Sequence, residues 1–161
     1  MQKIVPFLWF DNQAEEAATF YTSVFPNSRI RNVTRYGAAG AEASGMPADS
    51  VMTVEFELNG LEFVALNGGP AFAFSPAVSF AVGCDTQEEV DYLWERLSEG
   101  GNTQQCGWLT DKYEVTWQIT PTVLPRMLQD ADKRRSERVM KAMVQMVKLD
   151  IALLEQAYEQ G

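Results

Sequence analysis

The spacing of apolar positions switches from sheet-like to helix-like at the same place in two separate segments of the chain. Residues 4–10, Ile-Val-Pro-Phe-Leu-Trp-Phe, and residues 78–84, Val-Ser-Phe-Ala-Val-Gly-Cys, are short runs containing β-branched and aromatic side chains. Such runs suit a pleated sheet and are too short for an independent helix. Each passes through an aspartate, Asp11 or Asp85, into a helical pattern. Ala14, Ala17, Ala18, Tyr21 and Val24 form one apolar stripe; Val90, Leu93, Trp94 and Leu97 form the other. Aligning Asp11 on Asp85 also matches Gln13 with Gln87 and Glu15 with Glu89, at an offset of 74 residues. The chain reads as one unit used twice. Asp11 and Asp85 are predicted N-caps, a role whose loss costs ~1 kcal/mol. Glu15, Glu16, Glu88 and Glu89 suit the positive end of a helix dipole.

The remaining pattern completes each copy. A turn at Pro26-Asn27-Ser28 precedes a predicted strand from Arg29 to Tyr36. Residues 37–50 are small and turn-rich and predict a mobile loop. From Val51 to Leu58 the period is two, with Met52, Val54, Phe56 and Leu58 on one face and Val51, Thr53, Glu55 and Glu57 on the other. Asn59-Gly60 predicts a hairpin turn, and Leu61 to Leu66 returns. In the second copy, Gly100-Gly101-Asn102 stops the helix, and Thr103–Trp108 and Val115–Thr120 read as strands around an Asp111-Lys112-Tyr113 turn. Pro121 ends the last of them. From Leu124 the chain is helical: seven of its 13 Lys and Arg residues fall between Arg126 and Lys148. Met140, Met143 and Val147, flanked by Val139, Val144 and Met146, make a broad stripe that packs on the domain or on a second subunit, and Asp150 is positioned to cap a last helix. The predicted class is α+β: two βαβββ modules, about 1–70 and 71–121, forming a cupped mixed sheet, then a C-terminal helical extension over 122–161.

Composition narrows the function classes. A chain of 161 residues buries ~70% of its unfolded surface, enough for one domain of two halves. The net charge of −9 argues against nucleic acid and anionic membrane as partners. Met1-Gln2-Lys3 leads straight into a strand, so a cytoplasmic protein without signal peptide is expected. Cys84 and Cys106 lie in no metal or redox spacing and read as ordinary thiols, with a disulfide between them as the alternative. There is no histidine, no G-x-S-x-G elbow and no G-x-G-x-x-G loop. No metal site and no cofactor are expected.

If the bare sheet faces of the two halves curve together, Thr53, Glu55 and Glu57 line one side of a cavity and Thr116, Gln118 and Thr120 the other. Glu55 and Glu57 stand ~6.6 Å apart along their strand. Repulsion between two carboxylates in a partly closed site is what equips one of them as a general acid or base; the alternative is a solvated pair. Trp9, Trp108 and Trp117 offer aromatic surface for a ligand or for the core. The candidate site is therefore Glu55 and Glu57 for catalysis, with Trp9, Thr53, Trp108, Thr116 and Gln118 for binding. The expected partners are a small molecule and a second copy of the chain.

The doubled unit resembles the vicinal oxygen chelate (glyoxalase/bleomycin-resistance/dioxygenase) superfamily, and most closely its PhnB-like branch, often labelled a demethylubiquinone methyltransferase domain. The stretches that carry the resemblance are Pro6-Phe-Leu-Trp-Phe-Asp, Phe20-Tyr21, Asn67-Gly-Gly-Pro70, Cys106-Gly-Trp-Leu-Thr-Asp-Lys-Tyr113, Trp117-Gln-Ile119 and Met143-Val-Gln-Met-Val-Lys-Leu-Asp-Ile151. Metal-dependent members place ligands at positions that the resemblance maps here to Pro6, the stretch 64–66, Ser79 and Gln118. Only Gln118 among these is a fitting donor. Three readings stay open: an enzyme acting by proton transfer, a binder that sequesters a small molecule, and a dimeric scaffold. A metal-dependent lyase or dioxygenase of the same superfamily is a further alternative.

Overall fold

Period-two segments pair as the alternation requires. The computed structural model describes residues 2–160, and the chain divides into two compact units, Met1–Phe74 and Ser75–Gly161. In the first unit, β1 (Phe7–Phe10), α1 (Ala14–Val24), β2 (Arg29–Arg35), α2 (Ala38–Ser44), β3 (Val51–Leu58) and β4 (Leu61–Asn67) follow in order. The strands form a four-stranded sheet ordered β1-β4-β3-β2, parallel only between β1 and β4. In the second unit, β5 (Phe80–Cys84), α3 (Gln87–Ser98), β6 (Asn102–Thr103), β7 (Trp108–Thr110) and β8 (Thr116–Pro121) repeat that topology as β5-β8-β7-β6. The internal repeat is thus a repeat of connectivity. Three helices close the second unit: α4 (Val123–Leu128), α5 (Lys133–Met143) and α6 (Ile151–Glu159). Among the described residues no helix is long and apolar enough to cross a membrane.

All five residues of the first predicted stripe are buried on α1, which packs on β2, β3 and β4. Tyr21 stacks on Phe56, which stacks on Phe63, so the even positions of β3 face the helix. On α3, Val90, Leu93 and Leu97 are buried and Trp94 half so. The Asn59-Gly60 turn has both residues at positive φ, as a tight two-residue hairpin demands.

The predicted caps are wrong in both copies. Residue Gln13 precedes α1 without a side-chain bond, and the Ala14 N–H is instead satisfied by Asn67 Oδ1 at 2.8 Å, from the end of β4. Register places Asn67 opposite Phe10, and Pro121 holds the equivalent place opposite Cys84. Proline carries no side-chain acceptor, so α3 is capped locally: Thr86 accepts from the Glu89 N–H. Asp85 accepts from the Thr122 hydroxyl at 2.8 Å.

Two further expectations are corrected. The predicted mobile loop contains α2, an alanine-rich helix closed by Gly45 at φ 79°. The strand expected over 103–108 is broken, because Cys106 is left-handed at φ 61° and Gly107 at 81°, in a 3₁₀ turn over Gln105–Gly107. There the N–H groups of Cys106 and Gly107 donate to the carbonyls of Met146 and Val147. The C-terminal segment is fastened to the second unit at that turn. Gln87 grips it as well, donating to Leu149 O at 3.2 Å and accepting from Ile151 N–H at 2.8 Å. Leu124, Met127, Val139, Leu149 and Leu154 form a small core beneath the three helices. Asp150 caps α6 as predicted, and Met140, Val144 and Val147 of the broad stripe remain exposed. Tyr158 donates to Asp130, and this bond, with that from the Asp132 N–H, holds the Asp130 carboxyl below the usual carboxylate range.

Both cysteines are free thiols. Burial, with Glu89 and Asp85 nearby, pushes Cys84 up to about 11. A thiol reagent at pH 8 is expected to count one reactive cysteine per folded chain, the half-exposed Cys106, and two after unfolding; two at the outset would refute this packing. The unfolded Cys84 thiol ionises at its ordinary value of 9.0, whereas the folded one keeps its proton until about 11. Stability from this group is therefore intact below the unfolded value and declines as pH rises between the two.

Candidate functional site

The odd positions of β3 face away from α1, and the hairpin register decides what stands beside them. Thr53 lies opposite Leu66, Glu55 opposite Val64 and Glu57 opposite Glu62. On the far side of β4, Phe7 pairs with Val64 and Trp9 with Leu66. On the near side, Asn32 pairs with Glu55 and Thr34 with Thr53, after an irregularity between Ile30 and Asn32. Such a bulge re-aims side chains, and here Arg31 reaches both Glu57 (3.4 Å) and Glu62 (2.7 Å). Arg29 holds the other Glu57 oxygen at 3.2 Å.

Two arginines and two glutamates thus satisfy one another, which offsets the repulsion expected between Glu55 and Glu57. Glu57 is committed to this network. The Glu55 side chain makes no hydrogen bond or ion pair with any described residue. It faces a pocket of about 400 Å³ whose walls include Val5, Phe7, Arg31, Glu62 and Val64. Phe7, on the wall of the same pocket, is 61% exposed.

Thr53 and Trp9 share that sheet face but are already engaged. The Thr53 and Thr34 hydroxyls hydrogen-bond to each other. Trp9 Nε1 donates to Gly69 O at 2.9 Å, and its ring meets Phe72 edge-on, 5.0 Å between centroids. A Cβ on Gly68 would stand 2.2 Å from the Trp9 ring, so a glycine at 68 seats this indole, whereas Gly69 takes a left-handed backbone at φ 91°.

The remaining predicted residues belong to the second unit. Trp108 pairs with Gln118 across β7 and β8, and Thr116 lies two residues along the same face. Gln118 Nε2 donates to Ser79 Oγ at 2.9 Å. Thr116 is 2% exposed, and its Oγ1 is a buried side-chain oxygen without a partner among the described residues. The structure therefore gathers Trp9, Thr53, Glu55 and Glu57 on one sheet and Trp108, Thr116 and Gln118 on the other. Sequence reasoning missed Phe7, Arg31 and Glu62. The hairpin turn fixes Glu62 opposite Glu57, a signal present in the sequence; Arg31 enters only through the bulge.

The metal cage implied by the superfamily resemblance does not fit these residues. Val64 and Leu66 carry no donor, and Ser79 and Gln118 bond each other. No group of three or more His, Cys, Asp or Glu residues able to hold a metal ion occurs among the described residues.

Known proteins agree with this architecture. Residues 2–120 match the family model described as 3-demethylubiquinone-9 3-methyltransferase. The chain is similar to the PhnB protein from Bacillus cereus, at 38% identity and a TM-score of 0.67, over 75% of this chain and 100% of that one. A protein from Pseudomonas aeruginosa shares the fold at 21% identity and a TM-score of 0.60, over 75% of this chain and 98% of that one. No curated protein matches the chain. With a family match over most of its length and a relative of this identity, the chain belongs to the PhnB-like 3-demethylubiquinone-9 3-methyltransferase family of the vicinal oxygen chelate superfamily.

Proposed function

We propose that this PhnB-like protein binds a small organic molecule in the pocket on the open sheet face of its first unit, by contacts that use no metal ion. The observation that carries the reading is Glu55: a side-chain carboxylate with no partner among the described residues, facing a space of about 400 Å³ whose walls combine Val5, Phe7 and Val64 with Arg31 and Glu62. That volume lies in the range of small-molecule sites, which combine apolar walls with a few placed polar groups. Turnover, if the bound molecule reacts, assigns proton transfer to Glu55, while Glu57 positions Arg31. Trp9 and Thr53 shape the neighbouring face.

A fragment screen read by methyl NMR tests the proposal. Ligands are expected to shift the Val64 methyl signals and leave those of Leu154, in the C-terminal core, unmoved. A ligand at ~100 times its Kd should also stabilise the protein by ~2.7 kcal/mol. Hits that shift Leu154 and spare Val64 would overturn the assignment. For any reaction found, Glu55→Gln should abolish turnover, while ligand at saturating concentration still shifts the Val64 signals.

A further inference from the structure

Resting on the reading that this pocket takes a small molecule, we infer that its ligand is an organic cation: an ammonium group on an alkyl or aryl body. The charges supply the first argument. Arg29 and Arg31 are matched by Glu57 and Glu62 at 2.7–3.4 Å, and Glu55 is the fifth charge of the cluster, left over after the pairing. An anion would face that carboxylate while the nearest arginine is already held by two others. A neutral ligand covering Glu55 would strip water from it without supplying a partner.

Register supplies the second argument. Glu55 is opposite Val64, and Val64 is opposite Phe7. With strands ~4.8 Å apart, the carboxylate and the ring rise from backbones about 10 Å apart. Val64, 8% exposed, forms the floor between them. A molecule with its ammonium at Glu55 and its hydrocarbon over Val64 reaches Phe7, whose ring face attracts cations as well as apolar groups. A small hydrated inorganic cation gains nothing from that apolar floor, and one carboxylate is no cage. The net charge of −9 raises the local concentration of any cation.

Three probes of one shape separate the possibilities: 2-phenylethylammonium, 2-phenylethanol and phenylacetate, titrated at pH 7 into the full chain with Val64 methyl signals as the readout. The cation is expected to bind about fivefold or more tightly than the alcohol, with phenylacetate weakest. Added salt should weaken the cation alone. Glu55→Gln, a change at an exposed side chain with its fold checked by circular dichroism, should bring the cation down to the affinity of the alcohol. If the alcohol binds as tightly as the cation and both shift Val64, the pocket stands and the inference about charge fails. If the Glu55→Gln variant keeps the preference for the cation, the inference fails too. If no probe shifts Val64 at any concentration reached, both the inference and the pocket reading fall.

Discussion

Replacing Asp111 by alanine is expected to destabilise the second unit by about 3–5 kcal/mol. Asp111 is 2% exposed and accepts three hydrogen bonds: from the N–H groups of Tyr113 (2.8 Å) and Val115 (3.1 Å) on one oxygen, and from Trp117 Nε1 (2.8 Å) on the other. One carboxylate thereby closes the β7–β8 hairpin and ties its backbone to the largest side chain of β8. Alanine takes this acceptor away from three buried donors, and a buried donor left unmet costs about 1–3 kcal/mol. Release of a buried charge recovers only part of that loss. Asparagine retains a single acceptor oxygen and turns an N–H donor toward one of the existing donors, so Asp111→Asn should lie between alanine and the natural protein. Urea unfolding followed by circular dichroism measures the loss. The indole N–H signal of Trp117 in a nitrogen-15 spectrum reports whether its partner is gone. A midpoint unchanged in Asp111→Ala, with the indole signal unmoved, would show that the buried carboxylate carries no such weight.

Asn67→Ala should cost the first unit about 2–3 kcal/mol. The Asn67 side chain accepts from Ala14 N–H at the start of α1 and donates to Val51 O at 3.2 Å at the start of β3. Its backbone carbonyl receives the Tyr36 hydroxyl. Removing the side chain deletes a helix cap, leaves the Val51 carbonyl without that donor, and opens a small void at a site only 5% exposed. Amide hydrogen exchange separates these consequences from global unfolding. The Ala14 amide should exchange faster in the variant, under conditions where amides in the middle of β3 remain protected. Equal acceleration everywhere would mean that Asn67 acts only through overall stability.

These two residues explain stretches on which the family resemblance rests. Asp111 lies within Cys106–Tyr113 and Asn67 opens Asn67–Pro70. A polar residue in such a motif invites a catalytic role. Here both hold backbone groups that the fold would otherwise bury unpaired. Gly68 belongs with them, since its missing side chain is the space occupied by the Trp9 ring. On the open sheet face of the first unit, the carboxylate left over from this structural work is that of Glu55.

Much of each module was legible because its signals are local. Val51–Leu58 alternates, and a two-residue turn pins the returning strand, so the face holding Thr53, Glu55 and Glu57 follows from eight residues and a hairpin. The stripe of α1 follows from helical spacing alone. The helix within residues 37–50 was legible too, from four alanines and the closing Gly45, but the surrounding glycines suggested a loop. Signals that depend on a distant partner were not legible. Asn67 caps a helix that begins 53 positions earlier. The backbone of Cys106 and Gly107 turns aside to bond with Met146 and Val147, which breaks the expected strand.

The sequence by itself determined the doubled βαβββ pattern, the hairpin register and the acidic, histidine-free character of the chain, since periodicity and composition are properties of neighbouring residues. Tertiary structure alone decided which charges cancel. The bulge in β2 brings Arg31 to Glu57 and Glu62, and only then does Glu55 stand without a partner. Pairing energies depend on distances of a few ångströms between side chains from different strands, and no spacing along one strand contains them.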